Sequence, residues 1–297
     1  MNIIRPTTIT SIASSTVPET DHAAWSAATT YAIGDRCIVV ATHKIYESLQ
    51  AGNINQYPPD TLGGTPYWLE IGATNKYKII DGMVSTTTTA EASFTVGIEP
   101  GRINSIALLE VSASKITITM DDPTDGLVYS REFGMSDNAW TVDWYTWFFE
   151  PIVRKTDLVL LDLPSYSAAT LSVTVENSLN AAECGMLVVG ISGTIGMIQW
   201  GVRISIMDFS RKERDVFGNT ILTVKDYVKT MNADIVLPTN LVDETRRILT
   251  QYRATPILWM GSADFTSTII FGFFRNFALI YSGPDTSHCN LEIEGLI

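Results

Sequence analysis

Acidic side chains near the middle of the chain are the first candidates for catalysis. A glycoside hydrolase needs two carboxylates that face each other across a cleft, and the candidates are Asp121, Asp122, Asp125 and Asp143. The first three fall in the stretch DDPTDG, whose proline and glycine are typical of a turn in which aspartates bond the local backbone. The same residues suggest a calcium loop as an alternative. We predict a structural turn, with neither a catalytic pair nor a metal site.

Histidine and cysteine are too scattered to suggest nucleophilic or metal chemistry. The histidines are His22, His43 and His288, and the cysteines are Cys37, Cys184 and Cys289. Neither set has the context of a catalytic triad or the spacing of a zinc or redox site. We expect buried, reduced thiols in a protein that folds in a cytosol. The sequence therefore predicts no enzyme, no metal and no cofactor.

Composition narrows the classes of partner. The 297 residues carry a net charge of −12, and 45% of them are hydrophobic. A folded, acidic protein without a basic cluster is not expected to bind nucleic acid. The first 15 residues, MNIIRPTTITSIASS, lack the apolar core of a signal peptide. The glycine-rich stretch 185–202 predicts two strands around a turn, so we expect no membrane insertion.

Short apolar or alternating segments dominate the middle of the chain and predict antiparallel strands. They are split by turn signals such as Pro100-Gly101 and the DDPTDG loop. This spacing is typical of a β-sandwich of the jelly-roll type. The clearest strands are predicted at 93–98, 105–111, 115–120, 128–133, 170–175 and 186–191. A further strand is predicted at 77–80.

The aromatic stretch 143–163, read through Pro164, is predicted to be the centre of the core. It places Trp144, Tyr145, Trp147, Phe148 and Phe149 before a second apolar run, Leu158 to Leu163. Two adjacent strands here would bury a large area. We expect these aromatics to anchor the sandwich or a subunit contact.

A single helix is predicted near the carboxyl end, at 243–252. Asp243 is a candidate amino-terminal cap, Ile248, Leu249 and Tyr252 share one face, and Pro256 stops the helix. The whole chain divides into four ranges: an extended arm at 1–20, a small module at 21–75, a β-sandwich at 76–200 and a β-rich region with the short helix at 201–297. The last two ranges could be continuous. The arm is expected to stay mobile or to add to a neighbour's sheet.

The small module carries an ordered set of aromatic, turn and proline residues. These are Trp25, Tyr31, Gly34, Asp35, Tyr46, Pro59 and Trp68. The set resembles the chitin-binding carbohydrate modules of secreted chitinases and phage tail proteins. That resemblance implies sugar binding by Trp25, Tyr31, Tyr46, Tyr67 and Trp68, because a sugar ring stacks on a flat aromatic face. In a unit of about fifty residues the same rings could instead form the core.

The order of a small module followed by a jelly roll resembles phage tail proteins. This resemblance implies a non-enzymatic structural protein of a phage tail or baseplate, assembled in the host cytoplasm. Its expected partners are further copies of itself and other tail proteins, with a host-surface glycan as an additional partner. The alternatives are a carbohydrate-binding adhesin and a polysaccharide-degrading enzyme with an appended binding module.

Overall fold

The computed structural model describes residues 1–60, 66–136, 143–149, 153–214, 217–262 and 265–296, with backbone alone at 146 and 147. Strands dominate these ranges, which confirms the predicted mainly-β class. The α-helices are α1 (Trp144–Phe149) and α2 (Val242–Gln251). The first eleven strands are β1 (Asn2–Pro6), β2 (Ser14–Ser15), β3 (Arg36–Val39), β4 (Lys44–Ser48), β5 (Trp68–Ala73), β6 (Thr88–Ala90), β7 (Ser93–Ile98), β8 (Ser105–Ser112), β9 (Lys115–Asp122), β10 (Gly126–Gly134) and β11 (Leu158–Leu160). The next ten are β12 (Thr170–Glu176), β13 (Ala182–Thr194), β14 (Met197–Ile198), β15 (Arg203–Asp208), β16 (Arg211–Arg214), β17 (Thr220–Thr223), β18 (Tyr227–Pro238), β19 (Ile257–Met260), β20 (Ile269–Ile280) and β21 (Thr286–Gly295).

The strands pair antiparallel in two large sheets and two small ones. The main sheet has the order β11-β8-β13-β1-β19-β20-β21-β18-β14, with β15 also on β18 and β6 also on β13. The second sheet has the order β10-β9-β12-β7-β2. The amino-terminal module contributes β3-β4-β5, and β16 pairs with β17 as a separate hairpin.

A sandwich core lies between the second sheet and strands β8 and β13. Alternation along β9 buries Ile116, Ile118 and Met120 and leaves the residues between them partly exposed. This alternation is the signature of a strand with one face towards a core. Each large apolar side chain buried there contributes about 1.5–3 kcal/mol. The same core contains Phe94, Val96, Ile98, Ile106, Leu108, Leu171, Val173, Val175, Leu187 and Val189.

A second core forms where α2 packs on the carboxyl-terminal part of the main sheet. Val242 and Leu249 of the helix belong to the same buried cluster as Trp259, whose Nε1–H donates to Gly272 O at 3.0 Å. The observed helix begins and ends one residue earlier than the helix predicted at 243–252. The predicted cap is wrong, because the helix begins after Leu241 without a side-chain cap bond, and Asp243 lies in its first turn.

The first strand connects the two halves of the main sheet. β1 pairs with β13 on one side and with β19 on the other. Its alternation places Ile3 in the helix-covered core and Ile4 in a third buried cluster. Residues 2–6 thus pair within their own chain, unlike the mobile or neighbour-bound arm expected from the sequence. Strands from 76–200 and 201–297 meet in this one sheet.

The prediction of two core strands at 143–163 is wrong. Residues 144–149 form α1, and Trp144, Tyr145, Phe148 and Phe149 are between 70% and 79% exposed. The five aromatics of 144–149 are interrupted only by Thr146 and do not alternate with polar residues, so a strand there would need cover on both faces. Among the described residues of the stretch, only 158–160 forms a strand, at the edge of the main sheet. The anchoring role expected of Trp147 lies outside the described side chains.

The predicted strand at 77–80 is wrong, whereas the two strands predicted within 185–202 agree with the structure. The predicted strand at 77–80 is instead a short 3-10 helix, Lys78–Ile80. The glycine-rich stretch 185–202 contains most of β13 and all of β14. In the ranges that the structure covers, no helix has the length and apolar character needed to cross a bilayer.

Candidate functional site

The aromatic residues predicted to bind sugar mainly form the interior of the amino-terminal module. Tyr31, Tyr46 and Trp68 are 6–7% exposed and share a cluster with Cys37 and Val39. Strands β3, β4 and β5 supply this cluster, because they pair in sequence order and turn one face inward. These rings have no free face to offer a sugar.

Hydrogen bonds and ring contacts fix the module's aromatics further. The Nε1–H of Trp68 donates to Gln56 O at 2.9 Å, and the hydroxyl of Tyr31 accepts from the Ser26 N–H at 2.9 Å. Trp25 meets Tyr57 edge to face, with centroids 5.0 Å apart. Edge-to-face pairs contribute about 0.5–1.5 kcal/mol beyond burial. The arrangement is that of a small core.

Tyr67 and Trp68 do not form an exposed pair. Tyr67 is half-buried against the module core, and Trp68 is inside it. The Tyr67 carbonyl accepts from the Leu49 N–H at 2.9 Å, which fixes the backbone at this point. A sugar-stacking platform of two adjacent exposed rings is therefore not formed here.

The aspartates of the DDPTDG stretch serve the turn between β9 and β10. The Oδ1 atom of Asp122 accepts from the N–H groups of Thr124 at 2.9 Å and Asp125 at 3.2 Å. The spacing of Asp121, Asp125, Gly126 and Glu132 fits positions 1, 5, 6 and 12 of a helix-flanked calcium loop, a match the sequence interpretation missed. The segment is a strand hairpin instead, and Glu132 lies 3.6 Å from Lys115.

His43 has a structural environment. Its Nδ1 lies 3.0 Å from Glu19 Oε1, and its ring stacks on Tyr77 with centroids 3.7 Å apart. Glu19 also accepts from the Thr74 hydroxyl at 2.9 Å, so the segment before the module is held to two parts of the module. Within the residues that the structure covers, no three His, Cys, Asp or Glu side chains are grouped so as to hold a metal.

A charged cluster that the sequence interpretation missed lies in a cleft of about 280 Å³. The Nζ of Lys229 is 3.4 Å from Glu110 Oε1 and 3.9 Å from Asp157 Oδ2. Asp157 is buried, and its Oδ1 accepts from the Glu110 N–H at 3.4 Å. Charged residues within the apolar runs of β8 and before β11 were the signal available in the sequence. The cluster ties β18 to the sandwich.

Electrostatics and backbone geometry set this cluster apart. Burial raises the pKa of the Asp157 carboxyl, and Lys229 opposes that rise. Burial acts to lower the pKa of Lys229, but Asp157 and Glu110 together raise it. Glu110 has a φ of 51°, a left-handed conformation inside a strand that costs about 1–2 kcal/mol. Both carboxylates contact the lysine, so the arrangement is a partly exposed ion-pair anchor in which only Asp157 is buried.

The largest exposed apolar features lie outside the module. One is α1, where Trp144 stacks on Phe148 with centroids 6.5 Å apart and Tyr145 meets Phe149 at 4.9 Å. The other is the ribbon of β15, β16 and β17, all of whose residues are exposed. Just before this ribbon, Trp200 is 95% exposed. Side chains of this kind are typical of protein contacts.

Comparisons with known proteins give two solved structures with a distant likeness. One is a mutant of chitosan-binding module 1 from the chitosanase/glucanase of Paenibacillus sp. IK-5, with 10% identity over 39% of this chain and 83% of that chain, at a TM-score of 0.27. The other is CpGH89CBM32-5 from Clostridium perfringens, in complex with GalNAc-β-1,3-galactose, with 14% identity over 40% and 84% and a TM-score of 0.26. No family model and no curated protein matches the chain. Two carbohydrate-binding modules are thus among its structural neighbours, at TM-scores too low to bear on its ligand.

Proposed function

We propose that this chain is a non-enzymatic structural protein of a phage tail or baseplate. In this role it assembles with copies of itself and with other tail proteins in the host cytoplasm, and the module between 21 and 75 acts as a spacer that assists attachment to the host surface. The sequence resemblance to phage tail proteins motivates the class of particle.

The observation that carries the proposal is the amount of apolar surface on projecting segments. The four described rings of α1 and the side chains of the ribbon are exposed, although the same chain buries two extensive cores. Exposed large apolar side chains grouped on a few segments are typical of a surface that an assembling subunit covers on association. Of the candidate carboxylates, Asp122 accepts two backbone N–H groups within a turn, from Thr124 and Asp125.

A host-glycan adhesin is the second candidate, and α1 is the observation that favours it. Trp144 and Tyr145 present exposed rings that could stack on sugar, unlike the rings of the module.

Immunogold electron microscopy of virions with an antibody to this chain tests the proposal that it is a tail or baseplate protein. Labelling of the tail or baseplate is expected. Label confined to the soluble lysate contradicts it.

A further inference from the structure

A two-stranded arm projects from the edge of the main sheet. β15 pairs with the first half of β18 from Arg203↔Asn232 to Asp208↔Tyr227, and the chain continues into the β16–β17 hairpin. The Phe209 N–H donates to Asp226 O at 3.2 Å, which links the two paired segments. From here on, "the arm" means residues 203–232 and not the amino-terminal residues 1–20.

Both faces of the arm are exposed to solvent over most of its length. Ile221 and Leu222 are consecutive strand residues, so they point to opposite faces, and they are 51% and 64% exposed. Val224 is 79% exposed. Trp200, which immediately precedes the arm, adds a fully exposed indole ring. The exposed apolar residues considered together are Trp200, Ile204, Ile206, Met207, Phe209, Ile221, Leu222, Val224 and Tyr227.

This surface is large enough for a stable contact. Taking roughly 200 Å² for a fully exposed large side chain, the nine residues present about 1,000 Å². A standard interface buries about 800 Å² on each partner. A two-stranded ribbon is also only marginally stable in water by itself. The arm therefore gains most from a partner that covers both of its faces.

Charge favours a second copy of the same chain as that partner. The arm has six Lys and Arg against four Asp and Glu, a net charge of +2, or +1 without Lys229, which is paired with Glu110 and Asp157. The rest of the chain has 14 basic and 28 acidic residues, a net charge of −14. A basic, apolar arm is thus complementary to the acidic body of another copy, and opposite potentials favour such an encounter.

We propose that the arm docks on the acidic body of a second copy and holds the subunits together. The inference rests on the proposed role in assembly and names the surface that performs it. Because β15 pairs with β18 alone among the described strands, its outer edge also offers backbone groups for pairing with the neighbour.

Two variants test the arm directly. The first is Ile206→Asp combined with Leu222→Asp, which places a charge on each of two exposed apolar positions. The second replaces residues 209–226 by Asn-Gly, because Asp208 and Tyr227 are a strand pair that such a two-residue turn can close. The matched control is Leu127→Asp with Leu179→Asp, at positions 63% and 74% exposed away from the arm.

The measurement is molar mass by light scattering at about 100 μM, with circular dichroism as the check of folding. The unmodified chain and the control are expected at two or more times 32.7 kDa. Both arm variants are expected to fall to the mass of one chain of that variant while their spectra keep the β-sheet signature. A monomeric unmodified chain overturns the proposal, and so does an arm variant that retains the larger mass. A monomer that binds a different virion protein through the arm also overturns it. Immunogold labelling of virions is independent of this mass, so the failure of one proposal is distinct from the failure of the other.

Discussion

The rings of Tyr31 and Trp68 meet edge to face inside the amino-terminal module, with their centroids 5.0 Å apart. Both residues belong to the set whose order resembles chitin-binding modules. Their burial means that neither ring can stack on a sugar while the module stays folded. The pattern of aromatics in this sequence therefore describes how a unit with a small core is held together.

The first prediction concerns Trp68. Replacing it by Ala removes the ring contact with Tyr31 and the bond to Gln56 O, and should lower the free energy of unfolding of the module by about 3–5 kcal/mol. Denaturant unfolding followed by limited proteolysis within the module measures this loss. The unmodified chain, and an engineered multimer of it, should not be retained on chitin.

The control for Trp68→Ala is Leu179→Ala, where a side chain that is 74% exposed and lies away from the arm is removed, and the expected change is within about 0.5 kcal/mol. Retention of the multimer on chitin, abolished by Trp68→Ala without any loss of stability, would show that the ring binds sugar.

The second prediction concerns the junction between β1 and β13. A Cβ atom at Gly190 would lie 2.0 Å from the carbonyl oxygen of Arg5, so Gly190→Ala must push the two strands apart. We expect a loss of about 1–3 kcal/mol, measured by thermal unfolding. At Gly193 in the same strand the nearest atom would be 3.9 Å away, and Gly193→Ala should be neutral or slightly stabilising. Equal effects of the two substitutions would disprove the close pairing of β1.

The third prediction concerns Lys229 and the buried carboxyl of Asp157. Lys229→Met leaves that carboxylate without its cation, and the expected loss at pH 7 is about 1–2 kcal/mol, reduced by the partial exposure of the lysine. Burial raises the pKa of Asp157, so the folded state holds its proton more tightly than the unfolded state does. Stability of the variant should therefore recover as the pH falls below the raised pKa of Asp157.

Chemical denaturation of the Lys229→Met variant from pH 3 to pH 8 provides the measurement. Lys44→Met is the control, because Lys44 and Glu70 form a surface pair at 2.6 Å whose removal should change stability by less than about 1 kcal/mol at every pH. A deficit in Lys229→Met that is independent of pH would remove Asp157 from the explanation.

The fourth prediction concerns the three buried thiols. Burial raises the pKa of Cys37 and Cys289 to about 11 and that of Cys184 to about 12, from an ordinary value of 9.0. Unfolded thiols lose their protons first as the pH rises, so the free energy of unfolding should fall between pH 9 and about 12. A colorimetric disulfide reagent at pH 8 should label no thiol in the folded chain and three after denaturation.

The control for the thiols is a variant with all three cysteines replaced by Ala, whose stability should depend less steeply on alkaline pH. Rapid labelling of any cysteine in the folded chain would contradict the burial of that residue.

Strands with one buried face were predictable from the sequence. The predicted strand at 93–98 is observed with identical bounds, because alternation in SFTVGI matches the side-chain period of two. α2 was predictable for the same kind of reason, since its apolar residues repeat at the helical period. The aromatic stretch that forms α1 was not, because five large residues within six positions carry no period that separates a helix from a buried strand.

Long-range pairing was the part that no local pattern could supply. Residues 2–6 have the composition of a mobile arm, and their place between β13 and β19 depends on distant partners at 190–194 and 258–260. The cluster of Glu110, Asp157 and Lys229 likewise joins three distant segments. For the aromatic set of the module, residue types and order were visible in the sequence, but only burial distinguishes a core ring from a binding ring.

The central claim, that this chain is a structural subunit of a phage tail, is tested most directly by quantitative mass spectrometry of gradient-purified virions. The account predicts peptides of this chain in every preparation, at a fixed molar ratio to the other tail proteins and in more than one copy per particle. Absence of the chain from purified virions, or a ratio that varies between preparations as a contaminant's does, would contradict it.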